Sequence, residues 1–363
     1  MLLYYELPNT FAFLLMINVP FEIILTSSSD GPSPTNTLSI TYNYFHTIFL
    51  SRIAMKIAIA SHIVLDSIID TEGKTTQSLG GPACYCGLTA KQFGFEVILA
   101  TKVGKKDFSC ANMNVLRDHG ININEHQMVD SATTKFELII NNKDSRDLFL
   151  LSKCLPLTVE DIQTIQTDCW LVSPVLDEVP TDILAAIVKD GGKKNFVMLD
   201  PKGYLRSIDL KKSSSSKQIL LLDHLSLDLS GITAIKVDKE ELAALTGGLQ
   251  GLEGMQFLHS TTGVQFVIST VNNIVHLLHN KMLYSVKVDV NTSDYTGVGD
   301  ILSAAFCCSY LKEKDPLWAI CFAAGTVRAS LETRLTGLNK IPSKSEIEHN
   351  AYYYYGTVTF QKL

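Results

Sequence analysis

The sequence predicts an α/β fold in which helices cover both faces of a mostly parallel sheet. From Cys169 onward, short apolar runs alternate with helical patterns near Pro180 to Lys189 and at Lys239 to Leu245; the runs are WLVSPV, FVMLD, a Leu-rich segment, ITAIKV and QFVIST. Such alternation is typical of parallel strands joined by helices, with ligands bound at the carboxyl ends of the strands. The 363 residues, 46% hydrophobic and 19% charged, are enough to bury a large core.

The first 54 residues differ in composition from the rest of the chain. No Lys or Arg precedes Arg52, and polar residues and a proline interrupt the apolar run from Phe11 to Leu25. A membrane-spanning helix needs about 20 mostly apolar residues and a signal peptide needs a basic start, and neither pattern is present in good form. We expect residues 1–54 to be an atypical extension outside the fold, with the natural start at Met55. A membrane anchor is the alternative.

Two segments early in the predicted domain have strand character. Lys56 to Ala60 is a short apolar run that predicts the first strand. Thr133 to Leu151 alternates apolar and polar residues on both sides of a turn-forming NNKD segment, which predicts a hairpin. With residues 66–78, strands at 133–151 are expected to form a small β sheet. The same strands could form a homodimer interface.

Polar residues stand at the ends of several predicted strands. Asp200, Asp238 and Thr270 each lie at or just after the end of an apolar run. Because the carboxyl ends of parallel strands share one edge of a sheet, we expect these residues to converge there. Lys202, in the DPKG turn, could reach a phosphate as a mobile point charge, or it could be a solvated turn residue.

Residues 294–305, DYTGVGDILSAA, place a Gly-x-Gly turn directly before an apolar helix. Glycines permit a close backbone approach, and the free amides at a helix start attract anions such as phosphate. Asp300 would repel that phosphate unless its task is to take a proton from the attacking hydroxyl. Asp300 is therefore the candidate general base. The alternative is that it only caps the helix from Ile301 to Leu311.

These segments together resemble the ribokinase-like (PfkB) family of small-molecule kinases. The family's late signature is close to Asp-x-Thr-Gly-Ala-Gly-Asp, which Asp294 to Asp300 matches with Val298 in place of Ala. Its early Gly-Gly segment and helix are matched by GGPACYCGLTAKQFG at Gly80 to Gly94. The resemblance covers roughly Met55 to Ile347. It implies a ribokinase-like three-layer α/β/α fold, with a kinase domain at residues 55–350 and a C-terminal tail at 351–363. It also implies that the strands at 66–78 and 133–151 form a small β lid over the acceptor, which would keep water from the activated phosphate.

The resemblance implies a role for each matching residue at the acceptor end of the site. The late turn would form an anion hole for the transferring phosphoryl group, from Thr296, Gly297, Val298 and Gly299, and Asp300 would be the catalytic base. The acceptor substrate would be contacted by Asp66, Gly80 and Gly81. Where the family often has Asn after the diglycine, this chain has Tyr85 and Cys86.

At the donor end, the resemblance implies that Asp238 and Thr270 bind ATP. Lys202 is added to these candidate ATP-binding residues because its side chain could reach a phosphate. Glu241 would organise Mg²⁺ and its waters, because IKVDKEELAALTG looks like the family's Asn-x-x-Glu segment with Asp238 in place of Asn. An Asp can still accept hydrogen bonds from metal-bound water. The family's Thr-x-Gly strand end is Thr270, Val271 and Asn272 here.

The sequence thus predicts an enzyme that moves the γ-phosphoryl group of ATP to a hydroxyl of a sugar or polyol. GGPACYCGLTA together with DPKGYLR looks most like inositol kinases, so a cyclic polyol is the first acceptor and a nucleoside or ribose the second. The alternative is a catalytically silent kinase-like sensor of a small ligand. A dinucleotide-dependent oxidoreductase is disfavoured, because no Gly-x-Gly-x-x-Gly follows the first strand.

Charge and cysteine content indicate which partners and which cellular compartment are compatible with the sequence. The net charge of −6 and the sequence pI near 5.9 argue against a nucleic-acid or anionic-membrane surface. The eight cysteines stand mostly among apolar residues without a Cys-x-x-Cys pair, which favours reduced, buried thiols. We expect a cytoplasmic protein whose partners are a small acceptor and a nucleotide.

Overall fold

The computed structural model describes residues 20–22, 41–43, 54–141, 146–191, 195–209, 217–290 and 294–363. The chain divides into two compact units, Met1–Ala54 and Met55–Leu363. In the first unit the described segments are two short antiparallel strands, and the rest of the predicted extension lies outside the described residues. The NNKD turn of the predicted hairpin also lies almost wholly outside them.

Strands occur in both units. In chain order they are β1 (Pro20–Glu22), β2 (Thr41–Asn43), β3 (Lys56–Ala60), β4 (Val64–Ile69), β5 (Thr75–Gly80), β6 (Glu96–Ala100), β7 (Val103–Gly104), β8 (Met128–Val129), β9 (Thr134–Ile140), β10 (Arg146–Ser152), β11 (Cys169–Val172), β12 (Phe196–Leu199), β13 (Arg206–Ile208), β14 (Lys217–Leu221), β15 (Ala234–Asp238), β16 (Phe266–Val271), β17 (Ile274–His279), β18 (Met282–Lys287) and β19 (Thr359–Lys362).

The α-helices within the described residues lie in the second unit. They are α1 (Pro82–Gln92), α2 (Cys110–Asp118), α3 (Thr181–Gly191), α4 (Lys202–Leu205), α5 (Lys239–Thr246), α6 (Gly251–Thr262), α7 (Val298–Glu313), α8 (Pro316–Glu332) and α9 (Lys344–Thr357).

A nine-stranded sheet forms the centre of the second unit, within the part of the chain that the structure describes. Its order is β19-β18-β17-β16-β15-β12-β11-β3-β6. The strands from β16 to β6 pair in parallel, and β17, β18 and β19 add antiparallel pairs at one edge. The apolar runs WLV and FVML are buried on both faces as β11 and β12, as expected of parallel strands under helices. The predicted mostly parallel sheet is confirmed.

Helices cover both faces of this sheet. Alternate strand residues such as Ile57 and Ile59 pack with α1, α7, α8 and α9 in one apolar cluster. Their neighbours Ala58 and Ala60 pack with α3, α5 and α6 in another. The alternation follows from the period of two in a strand. The predicted three-layer α/β/α fold is therefore present.

A second sheet contains the strands that the sequence assigns to a lid. Its order is β13-β14-β10-β9-β4-β5, and β4 and β9 pair in parallel at its centre. The strand β5 ends at Gly80 and runs directly into α1, so this sheet is joined to the large sheet at the diglycine. The position of Asp66 within β4 places its carboxylate beside that junction.

Two segments differ from the sequence prediction. The Leu-rich segment forms β14 of the small sheet instead of a strand of the large one, and Leu220 and Leu221 are exposed there. Residues 351–363 are not a tail beyond the domain, because α9 continues to Thr357 and β19 pairs with β18. The burial of Ile347, Ala351 and Tyr354 in the core explains why the helix does not stop at 350.

Candidate active site

The Gly-x-Gly turn ends at the amino terminus of α7, as the sequence predicts. Gly297 is the N-cap residue in the left-handed region with φ 76°, and Asp300 lies in the first turn of the helix. Asp300 is only 4% exposed. It is therefore a buried carboxylate at a helix start, and not the N-cap that the alternative interpretation requires.

Tyr85 explains why the turn needs glycine at position 297. A Cβ atom added to Gly297 would lie 2.6 Å from three atoms of the Tyr85 ring. The ring is 1% exposed, so it cannot move into solvent. Packing and the positive φ thus both require glycine here. Tyr85 of α1 is in this way part of the turn's support.

Lys340 fixes the segment that precedes the turn. Its ammonium lies 2.8 Å from Asp294 Oδ2 and donates hydrogen bonds to the carbonyl oxygens of Asp294 (3.2 Å) and Thr296 (2.9 Å). Burial alone would raise the pKa of Asp294, but Lys340 and the Thr296 amide outweigh it and lower that pKa. The turn is therefore held from both sides before any ligand binds.

The free amides of the turn are fewer than the sequence predicts. The Thr296 N–H donates to Asp294 Oδ1 at 2.8 Å, and the Val298 N–H donates to the Tyr295 carbonyl at 3.3 Å. The first amides of a helix have no partner within the helix. The donors left for an anion are thus those of Gly297, Gly299 and Asp300, whereas the Thr296 amide is already occupied by Asp294 in this arrangement.

Asp300 forms a buried ion pair with Lys202. The Lys202 ammonium donates to Asp300 Oδ1 at 2.5 Å, and the Ser173 hydroxyl donates to the same oxygen at 3.4 Å. Burial would lower the pKa of Lys202, but Asp300 and Asp200 together raise it. Lys202 is thus not the solvated turn residue of the alternative interpretation, although the sequence did not predict its partner.

A glycine next to Lys202 sets the position of that side chain. A Cβ atom added to Gly203 would lie 2.4 Å from the carbonyl oxygens of Pro174 and Leu176. This loop is itself fixed by the buried Glu178, which accepts hydrogen bonds from the amides of Val175 and Leu176. The close approach of two backbones therefore directs α4 toward α7.

A second ion-pair group lies directly behind the turn. The Lys236 ammonium, on β15, lies 3.1 Å from Asp200 Oδ2 and 3.8 Å from Glu241 Oε2, and its side chain is 8% exposed. A Cβ atom added to Gly299 would lie 3.0 Å from this ammonium. Burial would lower the pKa of Lys236, but the neighbouring carboxylates together raise it. A fixed positive charge thus lies beneath the free amides.

Asp238 and Glu241 form a capping box at the start of α5. The Asp238 carboxylate accepts from the Glu241 N–H at 2.8 Å, and the Glu241 carboxylate accepts from the Asp238 N–H at 2.7 Å. Capping boxes satisfy two otherwise unpaired amides, which accounts for this spacing without any ligand. Desolvation raises the pKa of Glu241 to about 7, although Lys236 opposes the shift.

These carboxylates fit a hydrated magnesium ion better than a directly bound one. Among the described residues no three His, Cys, Asp or Glu side chains form a metal-binding cluster. The cap occupies one oxygen of each carboxylate, and the other oxygen of each accepts no hydrogen bond within the described structure. Those oxygens could accept from metal-bound water, since Mg²⁺ commonly keeps several waters.

The candidate acceptor residues surround the junction of β5 and α1. A Cβ atom added to Gly80 would lie 2.0 Å from Asp66 Oδ2, and Gly81 has φ 80° with the His62 carbonyl oxygen 2.7 Å from its would-be Cβ. The diglycine therefore makes room for the Asp66 carboxylate. Desolvation raises the pKa of Asp66 to about 7 against the opposing charge of Arg206.

Thr270 lies on the face of β16 that points toward α7. Ile268 and Phe266, two and four residues earlier, belong to the cluster of that face. The Thr270 side chain is partly exposed and no hydrogen bond involves its hydroxyl in the described structure. Asn272, two residues later, adopts φ 51°, a left-handed conformation that Asn tolerates better than most residues.

The structure adds residues that sequence reasoning missed. Lys236 has a signal in the sequence, because a lysine inside the apolar run AIKV must be paired if that run is a buried strand. Ser173 and Lys340 have no such signal, since both reach the site from loops remote in sequence.

Comparison with known proteins gives a family match over most of the chain. The family model described as pfkB family carbohydrate kinase matches residues 53–344. No curated protein matches the chain in a sequence comparison.

Similar solved structures are ribokinase-family kinases. A pyrophosphate-dependent kinase in the ribokinase family, complexed with a pyrophosphate analog and myo-inositol, is 23% identical, with a TM-score of 0.66 over 81% of this chain and 99% of that chain. The Thermotoga maritima ribokinase is 18% identical, with a TM-score of 0.64 over 82% and 99%. The Vibrio cholerae O395 fructokinase in fructose, ADP and calcium ion bound form is 16% identical, with a TM-score of 0.64 over 83% and 99%. These likenesses show a shared fold.

Proposed function

Because the chain belongs to the pfkB family of carbohydrate kinases, we propose that it transfers the γ-phosphoryl group of ATP to a hydroxyl of a cyclic polyol. The observation that supports this most is the buried Asp300 carboxylate beside the free amides of Gly299 and Asp300, with two lysine ammonium groups next to them. An acceptor hydroxyl, a transferring phosphoryl group and a proton acceptor can meet at this point.

In the proposed reaction, the acceptor oxygen attacks the γ-phosphorus while its proton passes to Asp300. A new O–P bond forms as the bond to the bridging oxygen of ADP breaks. The free amides and the amino-terminal end of α7 stabilise the charge on the transferring oxygens, because preorganised dipoles in a buried site are strong. Lys202 stabilises the same oxygens and holds the base in place.

Magnesium, when bound, would neutralise the donor phosphates and orient them. Asp238 and Glu241 would hold its waters through the oxygens that the capping box leaves unused. The described carboxylates Asp200, Asp238, Glu241 and Asp300 outnumber the ammonium groups of Lys202 and Lys236 at this edge. A divalent cation would therefore also correct the charge balance.

Asp66 is the proposed acceptor-binding group. A carboxylate at a diglycine junction can accept hydrogen bonds from two hydroxyls of a polyol ring. Myo-inositol is the first acceptor, supported by the sequence likeness and by the complex of the similar kinase with this polyol. Ribose or a nucleoside is the second.

Pyrophosphate is the second donor to be tested. Similar kinases are described with pyrophosphate analog or with ADP. In this chain, two ammonium groups lie at the turn, as a compact inorganic donor would need. Asn272 also stands where the resemblance expects a glycine next to the nucleotide.

The lid leucines support a homodimer through the small sheet. Leu151, Leu220 and Leu221 are between 40% and 58% exposed on β10 and β14. Light scattering of the wild type and of Leu221→Glu tests this proposal, with a dimer expected only for the wild type. A wild-type monomer would contradict it.

One experiment tests the activity and the donor together. Turnover is measured with ATP or pyrophosphate, in magnesium, against myo-inositol, ribose, fructose and adenosine. We expect stimulation by the cyclic polyol and a preference for ATP. Donor binding without stimulation by any acceptor would contradict the kinase and favour the ligand sensor.

Among the described residues, no helix is both long and apolar enough to cross a bilayer.

A further inference from the structure

A cavity of about 460 Å³ lies between α6 and the strands β16 to β18, on the opposite face of the sheet from α7. Ser269 lines it from β16. The side chains of Val267 and Ser269 share one face of this strand, and Ile268 and Thr270 share the other. The cavity is therefore separated from the proposed phosphoryl-transfer site by the sheet itself.

The deep end of the cavity carries hydroxyl and imidazole groups available to a ligand. Ser269 is 1% exposed, and its Oγ has no hydrogen-bond partner in the described structure. His276 lies directly opposite Ser269 on β17, and its Nδ1 is 2.8 Å from Ser285 Oγ. That contact leaves Nε2 without a protein partner among the described residues. Burial lowers the pKa of His276, which favours the neutral imidazole. The Ser269 hydroxyl and the neutral imidazole can each donate or accept a hydrogen bond.

The middle of the cavity is apolar. Its walls are formed by Leu252 and Met255 of α6, by Val271 of β16 and by Leu283 of β18. A buried hydroxyl without a partner is unfavourable, and a bound molecule would offset that cost by hydrogen bonding to it. An apolar wall with few polar groups is typical of small-molecule sites of this volume.

The mouth of the cavity carries positive charge. Lys239 lines it, is exposed, and forms no ion pair within the described residues. The start of α6 lines it through Gln250, Gly251 and Leu252, and the N-cap residue Gln250 makes no side-chain capping bond. The first amides of the 12-residue helix are thus left for an anion.

We propose that this cavity binds a small amphipathic anion: a flat aromatic carboxylate whose ring carries a hydrogen-bonding group. The carboxylate lies between Lys239 and the α6 amino terminus, the ring lies against Met255 and Leu283, and the ring substituent reaches Ser269 Oγ. Asn272 also lines the cavity and stands next to the expected nucleotide, but none of the proposed contacts involves it, so the proposal does not rest on the kinase activity.

The test uses 4-hydroxybenzoate as the probe on the full chain, by calorimetry. Lys239→Met should weaken binding at least about fivefold, because a charge-assisted hydrogen bond to the carboxylate is lost. Lys105→Met is the matched control, since Lys105 is exposed and does not line the cavity. Leu283→Trp, which fills the cavity, should abolish binding. Circular dichroism and the melting temperature check that each variant is folded.

A neutral analogue separates an anion site from a general apolar site. 4-Hydroxybenzamide should bind at least about fivefold more weakly than 4-hydroxybenzoate. No wild-type binding of the acid at millimolar concentration, equal binding of acid and amide, or equal affinity in the wild type and in Lys239→Met would each overturn the proposal. Because Lys239→Met removes only an exposed side chain, the test remains decisive if Leu283→Trp does not fold.

Discussion

Lys202 and Asp300 stand 98 positions apart in the sequence, and their side chains form a 2.5 Å ion pair at the start of α7. The pair joins the start of α4, which follows β12, to the first turn of α7. It gives the proposed base a fixed orientation and places a cation where the transferring phosphoryl group is expected. The proposed phosphoryl transfer thus depends on two side chains acting together.

Replacing Lys202 should affect the reaction more than the fold. Lys202→Met removes the charge that holds Asp300 and that is proposed to contact the phosphoryl group. We expect kcat/KM for the donor to fall at least about a hundredfold, because two charge-assisted hydrogen bonds of about 1.5–3 kcal/mol each are lost. Lys189→Met, an exposed lysine on α3, is the control. A value within about threefold of wild type would remove Lys202 from the mechanism.

The Tyr85 contact makes position 297 more sensitive than an ordinary left-handed glycine. Gly247 has φ 69° with no atom within 4 Å of an added Cβ. Gly247→Ala should therefore lower the free energy of unfolding only by the cost of a left-handed backbone at alanine, about 1–2 kcal/mol. Gly297→Ala has the same backbone cost, and its methyl group must also displace the Tyr85 ring. We expect a clearly larger decrease in the free energy of unfolding, measured by urea denaturation. Equal decreases for the two variants would show that the ring yields without strain.

The raised pKa of Asp66 predicts a pH effect on both stability and binding. Its pKa rises from the ordinary value of 3.8 to about 7, so the folded protein binds the extra proton between these pH values. Stability contributed by Asp66 should therefore fall as the pH rises from 4 to 7. Asp66→Asn should be more stable than the wild type at pH 8, and the difference should shrink at pH 4. Chemical denaturation at both pH values measures it; a constant difference would contradict the raised pKa.

Acceptor binding should change in the opposite direction. If the ionised carboxylate accepts the acceptor's hydrogen bonds, KM for the polyol should fall as the pH rises through about 7. Asp66→Asn should have a higher KM without this dependence. A wild-type KM that is flat from pH 6 to 8 would exclude ionised Asp66 as the acceptor contact.

Lys236 should stabilise the fold as well as supply positive charge beneath the free amides. Lys236→Met leaves Asp200, which is fully buried, and Glu241 without their cation. Breaking a buried pair in this way costs about 3–5 kcal/mol. The double variant Lys236→Met/Asp200→Asn should recover part of the loss, because the uncompensated charge is removed. If the double variant is no more stable than the single one, the lost free energy does not come from the Asp200 charge.

The sequence predicts the layers and the edge of the sheet well, because both follow from local patterns. Apolar runs and helical periods place Asp200, Asp238 and Thr270 at strand ends, and the glycines mark the turn before α7. The Leu-rich segment was assigned to the wrong sheet, since a short apolar run indicates a strand but not its partner. The extent of α9 was missed because burial against α8 overrides a tyrosine-rich pattern that is ambiguous in isolation.

The site is less predictable than the fold, because its contacts join distant segments. The pairing of Lys202 with Asp300 depends on Gly203 packing against carbonyl groups of another loop, which no pattern reveals. For Asp238 and Glu241, by contrast, the local sequence pattern allows two explanations. Their spacing is also that of a capping box, so a local structural reason exists beside the metal role that the resemblance implies.

Acceptor-dependent turnover of Asp300→Asn is the most direct test of Asp300 as the catalytic base. ADP release from ATP is measured with and without myo-inositol for the wild type and the variant, with nucleotide binding and melting temperature as controls. We predict that the acceptor stimulates the wild type and that kcat of the variant falls at least about a hundredfold while ATP still binds. A variant with the wild-type rate would contradict Asp300 as the base on which the proposed reaction depends.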